Sequence, residues 1–193
     1  MTPAQPPAPA DLAAREAALD VVERALARRG GLEEALDQPA FSRLDERNRA
    51  FARMLAMTVL RRMGAIDARL DARLGKAPPD AVRMLLRLGA AQALYLETPD
   101  FAAVDTTVRL ADEKRPTRPF KGLINGVLRG LLREAAGEDD PETLAPPWLF
   151  ARWRAAYGEA EARAIAGMIA QEPATDLTPR DPGDAEALAD ALE

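Results

Sequence analysis

The sequence predicts an all-α protein, and three of its features carry that prediction. Ala, Leu and Arg dominate the 193 residues while aromatic residues make up only 5%, a mixture that favours closely packed helices over sheets. Apolar residues recur every three or four positions along most of the chain, as on one face of an α-helix. No strand pattern alternates with the helices, so a dinucleotide-binding sheet is not expected.

The N-terminal part predicts a leader followed by helices. Residues 1–10 are Pro-rich and have little to bury, so we expect them to be disordered. The first helix is predicted to begin at Asp11, an N-cap residue, and to stop at Gly30 and Gly31. A central, largely buried helix is predicted over residues 44–63, and Gly64 is expected to break it before a shorter helix.

The remaining helices are predicted on either side of an acidic break. Helices are expected from Val82, over 101–113, with Thr98 or Asp100 as cap, and over 120–135. The acidic run with a proline at 138–141 predicts a domain boundary. Short helices are then expected over 148–157 and 159–171, an extended stretch over 173–180, and a helical pattern over 184–193. We therefore divide the chain into a leader (1–10), a helical domain (11–137), and a linker with the start of the next domain (138–193).

The composition excludes several kinds of chemistry. The chain has neither cysteine nor histidine, which removes disulfides, thiolate metal sites, cysteine nucleophiles and His-dependent serine triads. No stretch approaches the roughly 18–20 apolar residues that span a bilayer, and residues 1–10 lack the pattern of a signal peptide. We expect a cytoplasmic protein without membrane contact, with no metal site and no catalytic residue in this span.

The net charge of −5 hides a strong segregation of charge along the chain. Residues 41–135 carry 18 basic and 11 acidic side chains, whereas residues 136–193 carry 4 basic and 13 acidic ones. A basic middle between acidic flanks is compatible with a polyanion-binding surface, or with a solvated Arg-rich helical face.

The most informative element is the predicted helix over 120–135. Lys121, Asn125, Arg129 and Arg133 recur every four residues, so they form one polar stripe. The apolar residues on the other faces of this helix are expected in the core: Leu123, Ile124, Val127, Leu128 and Leu131. Further cations precede the helix, where free backbone N–H groups also favour a phosphate. A second basic group lies near the start of the central helix. The candidate RNA-binding residues are Arg115, Arg118, Lys121, Arg129, Arg133, Arg49 and Arg53.

Three other patterns admit both a structural and a functional interpretation. Gly122 and Gly126 are expected to permit close packing of another helix. Asp139 and Asp140 have no basic or metal-binding companion in their predicted loop, so catalysis there is not expected. Two tryptophans and a tyrosine interleaved with arginines at 148–157 could stack bases, although docking of their helix onto the bundle or a following domain is favoured.

Four segments, in this order, resemble the NusB-like RNA-binding domain. They are Arg61-Arg62 followed by Gly64, LGAAQALYL (88–96), TPDFAAVD (98–105) with Thr107-Val108, and KGLINGVLR (121–129). The run PWLFARW (147–153), with Tyr157-Gly158, is similar to the segment after this domain in the RsmB (Sun/Fmu) family of bacterial 16S rRNA cytosine-5 methyltransferases. The resemblance covers about residues 11–171.

The resemblance implies a bundle of two three-helix subdomains, here with a short helical C-terminal extension. It also implies that the domain engages or positions 16S rRNA for the protein's own C-terminal catalytic domain. That domain would hold S-adenosylmethionine and a cysteine nucleophile, while this span would hold no cofactor. Two alternatives stay open: a stand-alone NusB-type antitermination factor, and a helical module whose contacts are with protein.

Overall fold

The computed structural model describes residues 9–27, 31–133, 137–173 and 177–191. These residues form helices, turns and loops without a strand, which confirms the predicted all-α class. The α-helices in these ranges are α1 Pro9–Leu26, α2 Leu32–Leu36, α3 Pro39–Ser42, α4 Glu46–Asp71, α5 Asp80–Tyr95, α6 Asp100–Glu113, α7 Lys121–Leu132, α8 Pro141–Leu144, α9 Pro147–Tyr157, α10 Glu159–Met168 and α11 Ala185–Asp190. Short 3-10 helices cover Arg118–Phe120 and Pro182–Asp184.

Several predicted boundaries shift in the structure. α1 begins at Pro9, two residues before the predicted start, while residues 1–8 and 28–30 lie outside the described residues. The short helices α2 and α3 occupy a segment for which the sequence suggested none. The residue at the N-cap of α6 is Pro99 and no side chain caps the helix, so the cap predicted at Thr98 or Asp100 is wrong. Of the stretch predicted to be extended, 174–176 lie outside the described residues.

The helices pack as two groups around one core. α1 lies along α4, with α2 and α3 against α1, whereas α5, α6 and α7 pack on one another. The long α4 also packs on α5 and thereby joins the groups. Large apolar side chains that are 2% exposed or less fill the core between them, among them Leu55, Ile66, Leu70, Leu85, Leu86, Leu88, Ile124 and Leu128.

The break predicted at Gly64 lies two residues earlier, at a kink at Arg62. α4 runs through Gly64 to Asp71, and its non-helical backbone angles fall at Arg62 (φ −114°, ψ 15°). A glycine inside a helix costs about 1 kcal/mol relative to alanine. Here the missing side chain serves tertiary packing, because a Cβ atom on Gly64 would overlap the carbonyl oxygen of Thr143 in α8.

Helices α8, α9 and α10 form a small cluster of their own that rests on α4 through α8. Phe150 is 2% exposed and packs with Ala145, Ala162 and Ala166. Trp153 is partly buried against the same cluster. Because α8 packs on α4, this extension is held at a defined position on the helical domain.

Candidate nucleic-acid interface

The turn between α6 and α7 is held by a buried threonine. The Thr117 hydroxyl donates to the carbonyl oxygens of Ala111 (2.8 Å) and Lys114 (3.0 Å), and the residue is 1% exposed. These bonds hold the turn against the end of α6. The two arginines on either side of the threonine, Arg115 and Arg118, are exposed, so the turn presents both to solvent.

Lys121 and Arg118 share one carboxylate at this turn. Lys121 Nζ lies 2.8 Å from Asp112 Oδ1, and Arg118 Nε lies 3.2 Å from the same oxygen. The hydrogen bond from Lys121 is the main reason that the pKa of Asp112 falls below its ordinary value. One carboxylate thus orients two cations, and the local charge stays positive.

The polar side of α7 continues the basic surface, as the sequence predicted. Arg129 Nε donates to Asn125 Oδ1 (3.1 Å), and Arg133 Nε donates to the Arg129 carbonyl oxygen (3.2 Å). Both arginines are exposed, and both contacts use Nε, so the outer guanidinium nitrogens remain available to a ligand. We call Arg115, Arg118, Lys121, Arg129 and Arg133 the cationic corner.

The apolar side of α7 is buried as predicted, with two corrections. Leu123, expected in the core, is 39% exposed. Gly122 and Gly126 were expected against another helix, but among the described residues no atom of another element lies within 4 Å of a Cβ built on either. The packing interpretation of these glycines is therefore wrong.

The exposed glycines instead help to line an open groove of about 550 Å³. Arg133 of the cationic corner and Arg73, just past the end of α4, also line it. Arg73 Nη1 donates to the Arg69 carbonyl oxygen (2.6 Å). No local pattern indicated that Arg73 would join α7, because the two segments are far apart in the chain.

Arg49 and Arg53 are not brought together with the groove. They lie near the start of α4, and Arg73 lies past its end, about 30 Å further along at 1.5 Å per residue. Arg49 Nη2 donates to the carbonyl oxygens of Ser42 (3.0 Å) and Leu44 (2.7 Å), so it holds the segment between α3 and α4. Arg53 is exposed. A role in RNA binding stays a prediction for both.

A buried carboxylate joins the extension to α4 and α5. Asp139, whose side chain is 5% exposed, accepts hydrogen bonds from Arg62 (2.5 Å), Arg69 (3.1 Å) and the Tyr95 hydroxyl (2.7 Å). The Arg62 guanidinium also lies over the Tyr95 ring, 4.5 Å from its centroid. Burial, followed by the hydrogen bond to Asp139, raises the pKa of Tyr95 above its ordinary value. We call these four residues the Asp139 clamp.

The clamp overturns the expectation that Asp139 and Asp140 have no basic companion. The partners of Asp139 lie 44 to 77 positions earlier in the chain, and Asp140 pairs with Arg163 at 2.7 Å. The function of these carboxylates is structural, because Asp139 fixes the extension to the domain and Asp140 forms an ion pair within the extension. Arg62 and Arg69 are consequently held inside the clamp and are not part of the cationic corner.

The described residues contain no group of three or more Asp and Glu side chains that could hold a metal ion. Across the same ranges, no helix is both long and apolar enough to cross a membrane. The polar side of α7 presents guanidinium, ammonium and amide groups, which bind phosphate oxygens.

Comparisons with known proteins show which curated proteins this chain resembles in sequence. The chain is 38% identical over 136 residues to ribosomal RNA small subunit methyltransferase B of Thermus thermophilus, a match that covers 68% of this chain and 33% of that protein. It is 34% identical over 131 residues to the protein of the same name from Escherichia coli, covering 63% and 30%. The chain thus spans about a third of the length of these curated relatives.

The family comparison covers the two packed helix groups. A model of the NusB family matches residues 12–133, which run from the first turns of α1 through the end of α7. The matched region is more than half of the chain and contains the whole cationic corner. It also contains the four segments whose order first suggested the resemblance, and the chain belongs to the NusB family.

Proposed function

We propose that this chain binds ribosomal RNA through the cationic corner, as the RNA-engaging domain of a 16S rRNA cytosine-5 methyltransferase. The observation that carries the proposal is the arrangement of five cations on one turn and one helix face, while the other side of the same helix fills the core. The names of the relatives support the choice of ribosomal RNA and of a methyltransferase.

The geometry suits contact with a phosphate backbone. Arg115 and Arg118 project from a turn that Thr117 holds, so they need little ordering before a ligand binds. Arg133 and Arg73 line one groove from just past the ends of α7 and α4, so a phosphate there would meet positive charge from both. Contacts of this kind position an RNA without reading its sequence, which fits a domain that presents RNA to a separate active site.

Methyl transfer itself lies outside this chain in our proposal. The cysteine nucleophile expected from the resemblance cannot come from a sequence without cysteine. S-adenosylmethionine would supply the methyl group in a catalytic domain, and we assign no residue of this chain to it. The remainder of a longer protein would then be the partner of this domain, in the cytoplasm.

The test measures binding of this chain to a 16S rRNA fragment and to an unrelated structured RNA at several salt concentrations. The double variant Lys121→Gln and Arg129→Gln removes two charges of the cationic corner. We choose neutral glutamine because a glutamate at position 121 would stand beside Asp112 and could distort the turn. Each lost phosphate contact should reduce the slope of log affinity against log salt by about 0.7 to 0.9.

We expect weaker binding by the double variant and a salt slope that is smaller by about 1.5. The matched control is Arg24→Gln, which removes one exposed arginine paired with Asp20 on α1 and should leave RNA affinity unchanged. Thermal unfolding of all variants should show that they stay folded. Equal affinity of the parent and the double variant would refute the cationic corner as the binding site, and no binding at low salt would favour a protein-docking domain.

A further inference from the structure

Helix α9 in the extension exposes a tryptophan on the side that faces away from its own cluster. Phe150 is 2% exposed and Trp153 is partly buried, so these two residues dock the helix. Trp148 is 67% exposed and lies about 200° around the helix from Phe150, at 100° per residue. The docking expected for α9 thus accounts for two of its four aromatic residues and leaves Trp148 and Tyr157 exposed.

A cation lies on the same face as Trp148. Arg152 follows it by four residues, which places the two side chains about one turn apart on the surface. Within the described residues, Arg152 is exposed and has neither an ion pair nor a hydrogen bond, whereas Arg163 of α10 lies 2.7 Å from Asp140. α9 contains no acidic residue, although residues 136–193 carry 13 of them.

The residues between and beyond this pair keep it accessible. Ala151 and Ala155 lie on the same face and are exposed, and their short side chains leave the indole and the guanidinium accessible along this face of α9. An exposed indole is a stacking surface for a nucleobase, and a neighbouring guanidinium can bind a phosphate or stack in turn. The charge on this helix favours a polyanion over a basic or neutral partner.

We infer that the face of α9 formed by Trp148 and Arg152 binds an unpaired RNA segment, with a base stacked on the indole and a phosphate at the guanidinium. This surface lies outside the residues matched to the NusB family, which end at 133, and it is separate from the cationic corner. The inference rests on the proposed function, because both require that this chain binds RNA. It adds a second contact that requires unpaired nucleotides.

Fluorescence of a single tryptophan tests the inference directly. The chain has two tryptophans, so the variant Trp153→Phe leaves Trp148 as the only indole. We would titrate this variant with a single-stranded oligouridylate at low salt and then with a duplex RNA of equal length. Stacking predicts quenching by the single strand and much weaker quenching by the duplex, whose bases are already stacked.

Binding of the oligouridylate to variants of the parent chain provides the second readout. Trp148→Ala should weaken affinity roughly five- to 150-fold, the loss that corresponds to one stacked base, whereas Trp148→Tyr should retain most of it. Arg152→Gln should reduce the salt slope by about 0.7. The control Tyr157→Ala removes an aromatic residue of α9 that is 62% exposed but lies on the opposite side of the helix, and it should leave affinity unchanged.

The outcomes separate this inference from the proposed function. Quenching of Trp148 that persists when Lys121 and Arg129 are also replaced by glutamine would support an independent contact on α9. No quenching, equal quenching by duplex RNA, or unchanged affinity of Trp148→Ala would overturn it. Self-association of the chain that Trp148→Ala abolishes, measured by analytical ultracentrifugation, would show a protein interface instead and would also overturn it.

Discussion

Replacing the central carboxylate of the Asp139 clamp should destabilise the protein strongly. In the variant Asp139→Ala, Arg62 and the Tyr95 hydroxyl lose the carboxylate that accepts their hydrogen bonds, and Arg69 keeps only the Gly137 carbonyl oxygen. Removing one partner of a buried ion pair costs about 3–5 kcal/mol. The side chains of Arg62 and Arg69 retain 28% and 24% exposure, so water can solvate them after the change. We therefore expect the free energy of unfolding to fall by about 3 kcal/mol, the lower end of this range.

Thermal and urea unfolding, followed by circular dichroism, measure this loss. For a chain of this size, 1 kcal/mol corresponds to roughly 2–4 °C in Tm, so Tm should fall by about 6–12 °C. The control Glu138→Ala removes the adjacent carboxylate, which is exposed and has no partner within the described residues, and its effect should stay within about 0.5 kcal/mol. If both variants unfold at the same temperature, the clamp does not stabilise the fold and the reasoning fails.

Two further predictions concern the same region and its contrast with α7. In urea unfolding, Gly64→Ala should destabilise the protein by about 1–3 kcal/mol, because α8 must move to make room for the methyl group. Gly126→Ala, with open space at its Cβ, should be neutral or stabilising by up to about 1 kcal/mol. Equal effects of the two variants would contradict the packing of α8 on Gly64. In a Tyr157→Phe variant, Tyr95 is the only tyrosine, and its phenolate absorbance should not appear near pH 10 while the protein is folded. The phenol of Tyr95 releases its proton near pH 10 in the unfolded chain but not in the folded protein, so the free energy of unfolding should fall above that pH by up to about 1.4 kcal/mol per pH unit. The Tyr95→Phe variant should lose this pH dependence. Phenolate formation near pH 10 in the folded protein would count against the clamp geometry.

Local spacing was sufficient to predict the helices whose burial is one-sided. The period of apolar residues gave α6 and α9 to within one residue at either end, and it placed Ile124 and Leu128 in the core. It predicted a break in α4 at Gly64, because glycine is unfavourable in a helix, whereas the kink lies at Arg62. Packing of α8 on that glycine offsets the penalty, and no feature near Gly64 in the sequence shows where α8 lies.

The cationic corner was partly visible in the sequence, and the groove beside it was not. The four-residue spacing of Lys121, Arg129 and Arg133 was enough to place them on one exposed side of a helix. Arg73 and the Asp139 clamp depend on pairs that lie far apart in the chain, so a single sequence contains no local signal for them. The exposed glycines were misinterpreted because the same spacing also describes a helix contact.

One arginine links two aspects of the architecture. Arg62 supplies the non-helical backbone angles inside α4, and its side chain binds Asp139 while lying over the Tyr95 ring. Arg62 therefore sets both the direction of α4 and the position at which the following extension packs. For protein engineering, this means that fusing the helical domain to a foreign module at residue 133 should lower its stability. A chimera should retain the chain through α8, so that Arg62 keeps its carboxylate.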